Sequence, residues 1–212
     1  ALTGGRNDSN WISLEWNEIA TPTLPPFGYY SSPLWRKFVT AAYFADLCSY
    51  PAPDDQVSFE RLLFVMHAFP QGFKVWFFAK TGGPFFPVGY TGWYPMAERV
   101  FIDFENCASL PPATLDRCIV PKPGDAHSPW IYLFNYSVAA PFHKTRHSRQ
   151  LIQEYAREIQ AQNYRGLACI NVSPEGARVA QRFGMTHAGS IAKPGTKEGS
   201  ASGTEEVYTL RN

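Results

Sequence analysis

The segment Ser173-Pro-Glu-Gly-Ala-Arg-Val-Ala-Gln-Arg-Phe-Gly-Met185 constrains this chain more than any other stretch. Ser173 suits a helix N-cap, and Pro174 suits the first helical position, where a missing N–H costs nothing. Gly184 suits the left-handed position beyond the last turn. Between them Ala177, Ala180 and Phe183 recur at helical spacing and give a narrow face that can lie close on a sheet. An apolar run, Gly166-Leu-Ala-Cys-Ile-Asn171, precedes this helix and Thr186-His-Ala-Gly-Ser-Ile191 follows it. The sequence therefore predicts a strand, a short punctuated helix and a second strand.

The rest of the chain reads as an ordered series around that unit. Residues 1–33 hold Pro22, Pro25, Pro26, Gly28 and Pro33 and predict an irregular arm. Leu34, Phe38, Ala41, Ala42, Ala45 and Cys48 recur at helical spacing over 34–50, and Phe59, Leu62, Leu63 and Met66 repeat the pattern over 58–69. Residues 72–80 and 85–94 are β-rich runs joined by Thr81-Gly-Gly-Pro84, which predicts an antiparallel hairpin. The stretch 103–129 is proline-rich with little periodicity and reads as an irregular insertion, a place where lids and binding loops occur. A strand over 130–140, a helix over about 148–162 and closing strands near Ile191 and over 206–210 complete the series. Residues 34–212 form a single domain on this reading.

Composition removes several function classes. Nineteen basic against eighteen acidic residues leave a net charge of +1, so no global field points to nucleic acid or an anionic membrane. Cys48, Cys107, Cys118 and Cys169 are scattered without metal-ligand spacing, which fits reduced thiols in a cytoplasmic protein and no bound metal. No apolar run approaches the roughly eighteen residues needed to span a bilayer, and Ala1 to Asn10 has no signal-peptide core, so a soluble chain is expected. Aromatic residues make up 16% of the chain and crowd into 75–78, 85–86, 90–94 and 130–136. They fit a core of large β-formers first, with an apolar pocket for an acyl chain or aromatic acceptor as the functional alternative.

The element order over about 34–210, with the segment Val138-Ala-Ala-Pro-Phe-His-Lys-Thr-Arg-His-Ser-Arg-Gln-Leu-Ile152, resembles the GNAT N-acyltransferase superfamily. Val138 matches the last apolar residue of that family's central strand, Phe142 the aromatic before its loop, and Leu151-Ile152 the first buried pair of its next helix. The resemblance implies an α/β fold with a mixed, mostly antiparallel sheet of about six to seven strands flanked by about four helices. It also implies transfer of an acyl group from a thioester, acyl-CoA, to an amine by direct attack.

In that family, amides at the start of the helix hold the CoA pyrophosphate, an arrangement favoured by unsatisfied N–H groups and the positive end of the dipole. The matching loop positions here are His143, Arg146 and Ser148, where relatives carry Gln or Arg and two small residues, often glycines. His143, Lys144, Arg146, His147 and Arg149 surround that helix start, and cations there oppose the dipole and call for an anion. Donor-binding candidates are therefore Val138, Ala140, His143, Lys144, Arg146, His147 and Ser148, with Ser173 on the later helix.

The tyrosine acid of many relatives matches Ala180 here. Tyr132 matches a position where relatives carry a base, and Tyr136 shares its strand face, so these two and Tyr208 are the catalytic candidates. Asp103 and Glu105 stand behind them. An unperturbed tyrosine, with a pKa near 10, is a poor base at neutral pH, and a core role for Tyr132 and Tyr136 competes. An acyl-carrier protein is an alternative donor and a small molecule or protein terminus the expected acceptor. A non-catalytic thioester-binding or partner-binding module remains a competing reading. A transferase using Cys169 with His187 or His143 is the weakest reading, because a mid-strand apolar cysteine is normally inert.

Overall fold

The computed structural model describes residues 11–15, 33–79, 85–107, 122–193 and 204–212. Five helices are present among the described residues: α1 (Pro33–Ser49), α2 (Phe59–Ala68), α3 (Glu98–Glu105), α4 (Arg146–Gln160) and α5 (Pro174–Arg182). The strands are β1 (Trp11–Glu15), β2 (Phe73–Ala79), β3 (Phe85–Met96), β4 (Trp130–Val138), β5 (Gly166–Asn171), β6 (Thr186–Ala192) and β7 (Thr204–Arg211). They hydrogen-bond in the order β1-β2-β3-β4-β5-β7-β6. The mixed sheet, its mostly antiparallel pairing and its flanking helices agree with expectation, α3 being the helix that the sequence analysis did not place. The chain divides into two compact units, Ala1–Gly92 with Asn135–Gln153, and Trp93–Phe134 with Glu154–Asn212.

In the first unit, α1 buries Phe38, Val39, Ala42, Ala45 and Asp46, a single stripe at helical spacing. Ser58 caps α2, its hydroxyl accepting from Arg61 N–H at 3.2 Å, and Leu62, Val65 and Met66 turn inward. The pair β2–β3 is antiparallel with a bulge between Trp76 and Phe77, where Pro87 lies opposite Phe77 and has no N–H to donate. The Thr81–Pro84 turn lies outside the described residues. Residues 11–15 correct the irregular arm expected over 1–33: they form β1, paired antiparallel with β2 from Trp11↔Phe78 to Glu15↔Lys74. A short run without strong alternation becomes a strand here because β2 offers an edge.

One core cluster of this unit joins Trp76, Val88, Val138 and Leu151, with Phe78, Phe142 and Ile152 packed against it. Gly89 makes that packing possible. A Cβ there would stand 2.6 Å from the Ser137 carbonyl oxygen and 2.9 Å from Leu151 Cδ1.

In the second unit, α3 opens before the insertion expected over 103–129 and buries Val100, Phe101 and Phe104, so Asp103 and Glu105 lie on a helix. Gly166 lies against rings: a Cβ there would meet Trp130 at 2.6 Å and Phe101 at 2.8 Å. Strands β4 and β5 are parallel through Trp130↔Gly166, Ile131↔Leu167 and Tyr132↔Ala168. Antiparallel β5–β7 and β6–β7 pairing completes the unit, the latter with an irregularity between His187 and Gly189.

Helix α5 is built as its sequence predicts. Ser173 Oγ accepts from Gly176 N–H at 3.1 Å, Ala180 is buried, and Gly184 has φ of 82°. Met185 N–H reaches Ala180 O at 3.1 Å and Gly184 N–H reaches Gln181 O at 3.0 Å, the paired bonds that close a Schellman terminus.

Candidate functional site

The segment from the end of β4 into α4 concentrates the donor-binding candidates, and from Asn135 to Gln153 it lies in the first unit. Val138 is buried at the strand end, and Ala139 N–H donates to Val88 O at 2.7 Å. Exposed Ala140 opens a tight turn, Ala140–Phe142, and Phe142 packs on Phe78 with ring centroids 5.8 Å apart. His143 bends back, its Nε2 2.5 Å from Val138 O. A carbonyl oxygen only accepts, so Nε2 carries the hydrogen in that contact.

Lys144 then adopts φ of 61°, in the left-handed region that favours glycine. The chain turns at Lys144, and Arg146 and Ser148 are already helical. Helix α4 begins two residues before the expected start because Thr145 caps it, its hydroxyl accepting from Ser148 N–H at 3.4 Å. Ser148 Oγ in turn donates to Thr145 O at 2.9 Å, so this hydroxyl serves the first turn of the helix. Thr145 was legible as an N-cap and was missed in favour of the basic residues around it.

The cations divide into two groups. Lys144, Arg146 and Arg149 are exposed, and the first turn of α4 holds no acidic residue. His147 differs: its ring lies 6.4 Å from Phe78, and desolvation with the nearby Arg146 charge lowers its pKa, favouring the neutral ring. His147 is therefore removed from the cationic set that the sequence suggested.

The three tyrosine candidates occupy different settings. Tyr132 is buried in an aromatic group, 5.3 Å from Tyr94 and 5.4 Å from Phe104 between ring centroids. Tyr208 is also buried and meets the His187 ring at 5.4 Å. Through Tyr132↔Ala168 and Cys169↔Tyr208 they stand two strands apart. Tyr136 is half-buried. Ser173 caps α5 in the second unit, where its oxygen is used by Gly176 N–H.

The weaker candidates find structural roles. Glu105 forms a two-point ion pair with Arg211, whose guanidinium lies 5.0 Å from the Phe101 ring and 4.9 Å from Trp130. Cys169 is fully buried with Sγ 3.8 Å from Met185 Sδ, while His187 Nε2 is engaged with Glu206 at 2.5 Å. Cys169 and His187 thus each contact a structural partner.

A polar cluster that the sequence reading missed centres on Asp46. Its Oδ2 accepts from Val57 N–H at 2.8 Å, and its Oδ1 accepts from Tyr90 OH at 2.9 Å and Asn135 Nδ2 at 3.2 Å. Asn135 Nδ2 also donates to Tyr90 OH at 2.6 Å. Burial raises the Asp46 pKa from 3.8 to about 6, against the lowering effect of those three donors. Burial and the neighbouring Asp46 charge also push the Tyr50 and Tyr90 hydroxyls upward, so both stay neutral. The signal was an acid inside the apolar stripe of α1, four residues after Ala42. On the same strand, Asn135 Oδ1 and Ser137 Oγ are buried without a hydrogen-bond partner among the described residues.

The sequence matches no known protein-family profile and no curated protein. Solved structures do match. The loading GNATL domain of CurA from Lyngbya majuscula superposes with a TM-score of 0.58 at 9% identity, covering 82% of this chain and 93% of that one. The NatC complex bound to Gag peptide and CoA gives a TM-score of 0.58 at 9% identity, covering 96% and 99%. The GphF GNAT-like decarboxylase in complex with isobutyryl-CoA gives 0.54 at 13% identity, covering 89% and 96%. This chain has the GNAT fold. In this fold the β4–α4 loop turns at a lysine, and Ala180 on α5 is buried. Among the described residues no helix is long and apolar enough to cross a membrane, and no group of three or more His, Cys, Asp or Glu could hold a metal ion.

Proposed function

We propose that the protein is an acyltransferase that binds an acyl-CoA thioester at the β4–α4 loop and passes its acyl group to an amine. The observation that carries this reading is the loop itself, where Lys144 turns the chain, Thr145 caps α4, and exposed Lys144, Arg146 and Arg149 stand at the helix start. An anion there gains from backbone N–H groups, the helix dipole and these side chains together. CoA in the NatC complex and isobutyryl-CoA in the decarboxylase complex support the donor class.

The thioester carbonyl would lie along residues 135–138 of β4, where backbone N–H groups can polarise it. The neutral amine nitrogen attacks the carbonyl carbon, the C–S bond breaks, and the sulfur leaves as the thiolate while the nitrogen loses one proton. Water takes that proton, directly or relayed through the half-buried Tyr136 hydroxyl, which gives up its own proton as it receives one; Tyr132 and Tyr208 are buried in the second unit. The same three cations also suit the phosphate of a carrier protein's phosphopantetheine.

Calorimetric titration with acetyl-CoA tests the site. Lys144→Ala with Arg146→Ala should weaken binding about tenfold or more and flatten its salt dependence. Unchanged affinity in the double variant would sink the assigned site. Competition between free CoA and an acylated carrier protein separates the two donor forms.

A further inference from the structure

The Asp46 carboxylate accepts from three neutral donors: a backbone amide beyond α1, a β3 hydroxyl and a β4 side-chain amide. None of them brings a positive charge, and Asp46 is fully buried. A buried carboxylate without a cation costs stability, and burial of a titratable group against its own folding energy is characteristic of functional sites. Asn135, which the carboxylate and Tyr90 hold jointly, lies three residues before Val138 on β4. Side-chain bonds to Asn135 tie this end of β4 to α1 through Asp46 and to β3 through Tyr90.

We infer that Asp46 is a positioning residue of the acyl-transfer site: through Tyr90 and Asn135 it holds residues 135–138 of β4 in place to receive the thioester carbonyl. This rests on the acyltransferase reading. Ionised Asp46 holds all three donors, and protonation turns one of its oxygens into a donor facing donors, which loosens Asn135. The titratable groups facing the carboxylate are Tyr50 and Tyr90, both neutral across the relevant range, so the transition belongs to Asp46.

The test compares dissociation constants of acetyl-CoA and free CoA, which differ only in the acyl group. Wild type at pH 8 should prefer acetyl-CoA by about tenfold, the worth of one well-placed hydrogen bond to the carbonyl, and lose most of that preference by pH 5. Asp46→Asn should bind CoA as wild type does and show little preference at either pH. Tyr90→Phe, which removes one donor and keeps the ring, should show an intermediate loss and covers the case in which Asp46→Asn does not fold. An equal preference in wild type and in the folded variants overturns this inference while leaving the donor site standing. Failure of wild type to bind either ligand removes the acyltransferase reading and this inference with it.

Discussion

Tyr90 OH donates to Asp46 Oδ1 at 2.9 Å across forty-four residues of sequence, inside a core that admits no solvent to either side chain. The carboxylate is held by neutral groups, so its charge opposes folding even though its hydrogen bonds favour it. That balance gives the fold a measurable dependence on pH.

Asp46 has a folded pKa of about 6 against 3.8 unfolded, so the folded state holds the extra proton between those values. Its stabilisation is fully present below pH 3.8 and is lost as pH rises through about 6. The contribution amounts to about 3 kcal/mol, on the order of 1.4 kcal/mol per pKa unit. Urea unfolding from pH 4 to pH 8 should show this as a stability difference between wild type and Asp46→Asn that shrinks or reverses toward high pH. A pH-independent difference would contradict it.

Lys144 sits at φ of 61°, where an L side chain costs roughly 1–2 kcal/mol and glycine costs nothing steric. Lys144→Gly should raise stability by about 0.5–1 kcal/mol after glycine's entropy is set against it. Arg146→Gly, inside α4, should lower stability by up to about 1 kcal/mol. Thermal unfolding of the two variants distinguishes the observed turn from the turn implied by family matching.

Gly89 stands where a Cβ would lie 2.6 Å from a backbone oxygen of Ser137, which cannot rotate away. Gly89→Ala should cost about 1–3 kcal/mol by overpacking. Because the displaced groups belong to β4 and α4, acetyl-CoA affinity should fall with stability in this variant; calorimetry and urea titration measure both.

Ser173 contributes a cap whose Oγ accepts from Gly176 N–H at 3.1 Å. Ser173→Ala should cost about 1 kcal/mol. Its effect on acetyl-CoA affinity, read in the same titration, decides whether this hydroxyl also serves the donor: a loss of tenfold or more adds it to the site, and no loss leaves it a cap.

Helix α5 was legible residue by residue because each of its signals is local: Ser173, Pro174 and Gly184 are read by backbone groups within five positions. The Val138, Phe142 and Leu151–Ile152 pattern also translated into one packed cluster, since apolar spacing survives folding. The α4 boundary lies at Arg146 rather than at about Ser148 because the Thr145 cap starts the helix a turn ahead of its apolar face, which begins at Leu151.

By itself the sequence determined the order of elements, the caps and the apolar faces, which depend on neighbours a few residues away. Only the tertiary structure decided that Trp11–Glu15 pairs with β2, that Lys144 makes the turn, and that Asp46 becomes a buried acid. Asp46 takes its chemistry from Val57, Tyr90 and Asn135, eleven to eighty-nine residues away. A carboxylate's pKa is set by the solvent it loses and the donors it meets, and neither exists until the chain has closed around it.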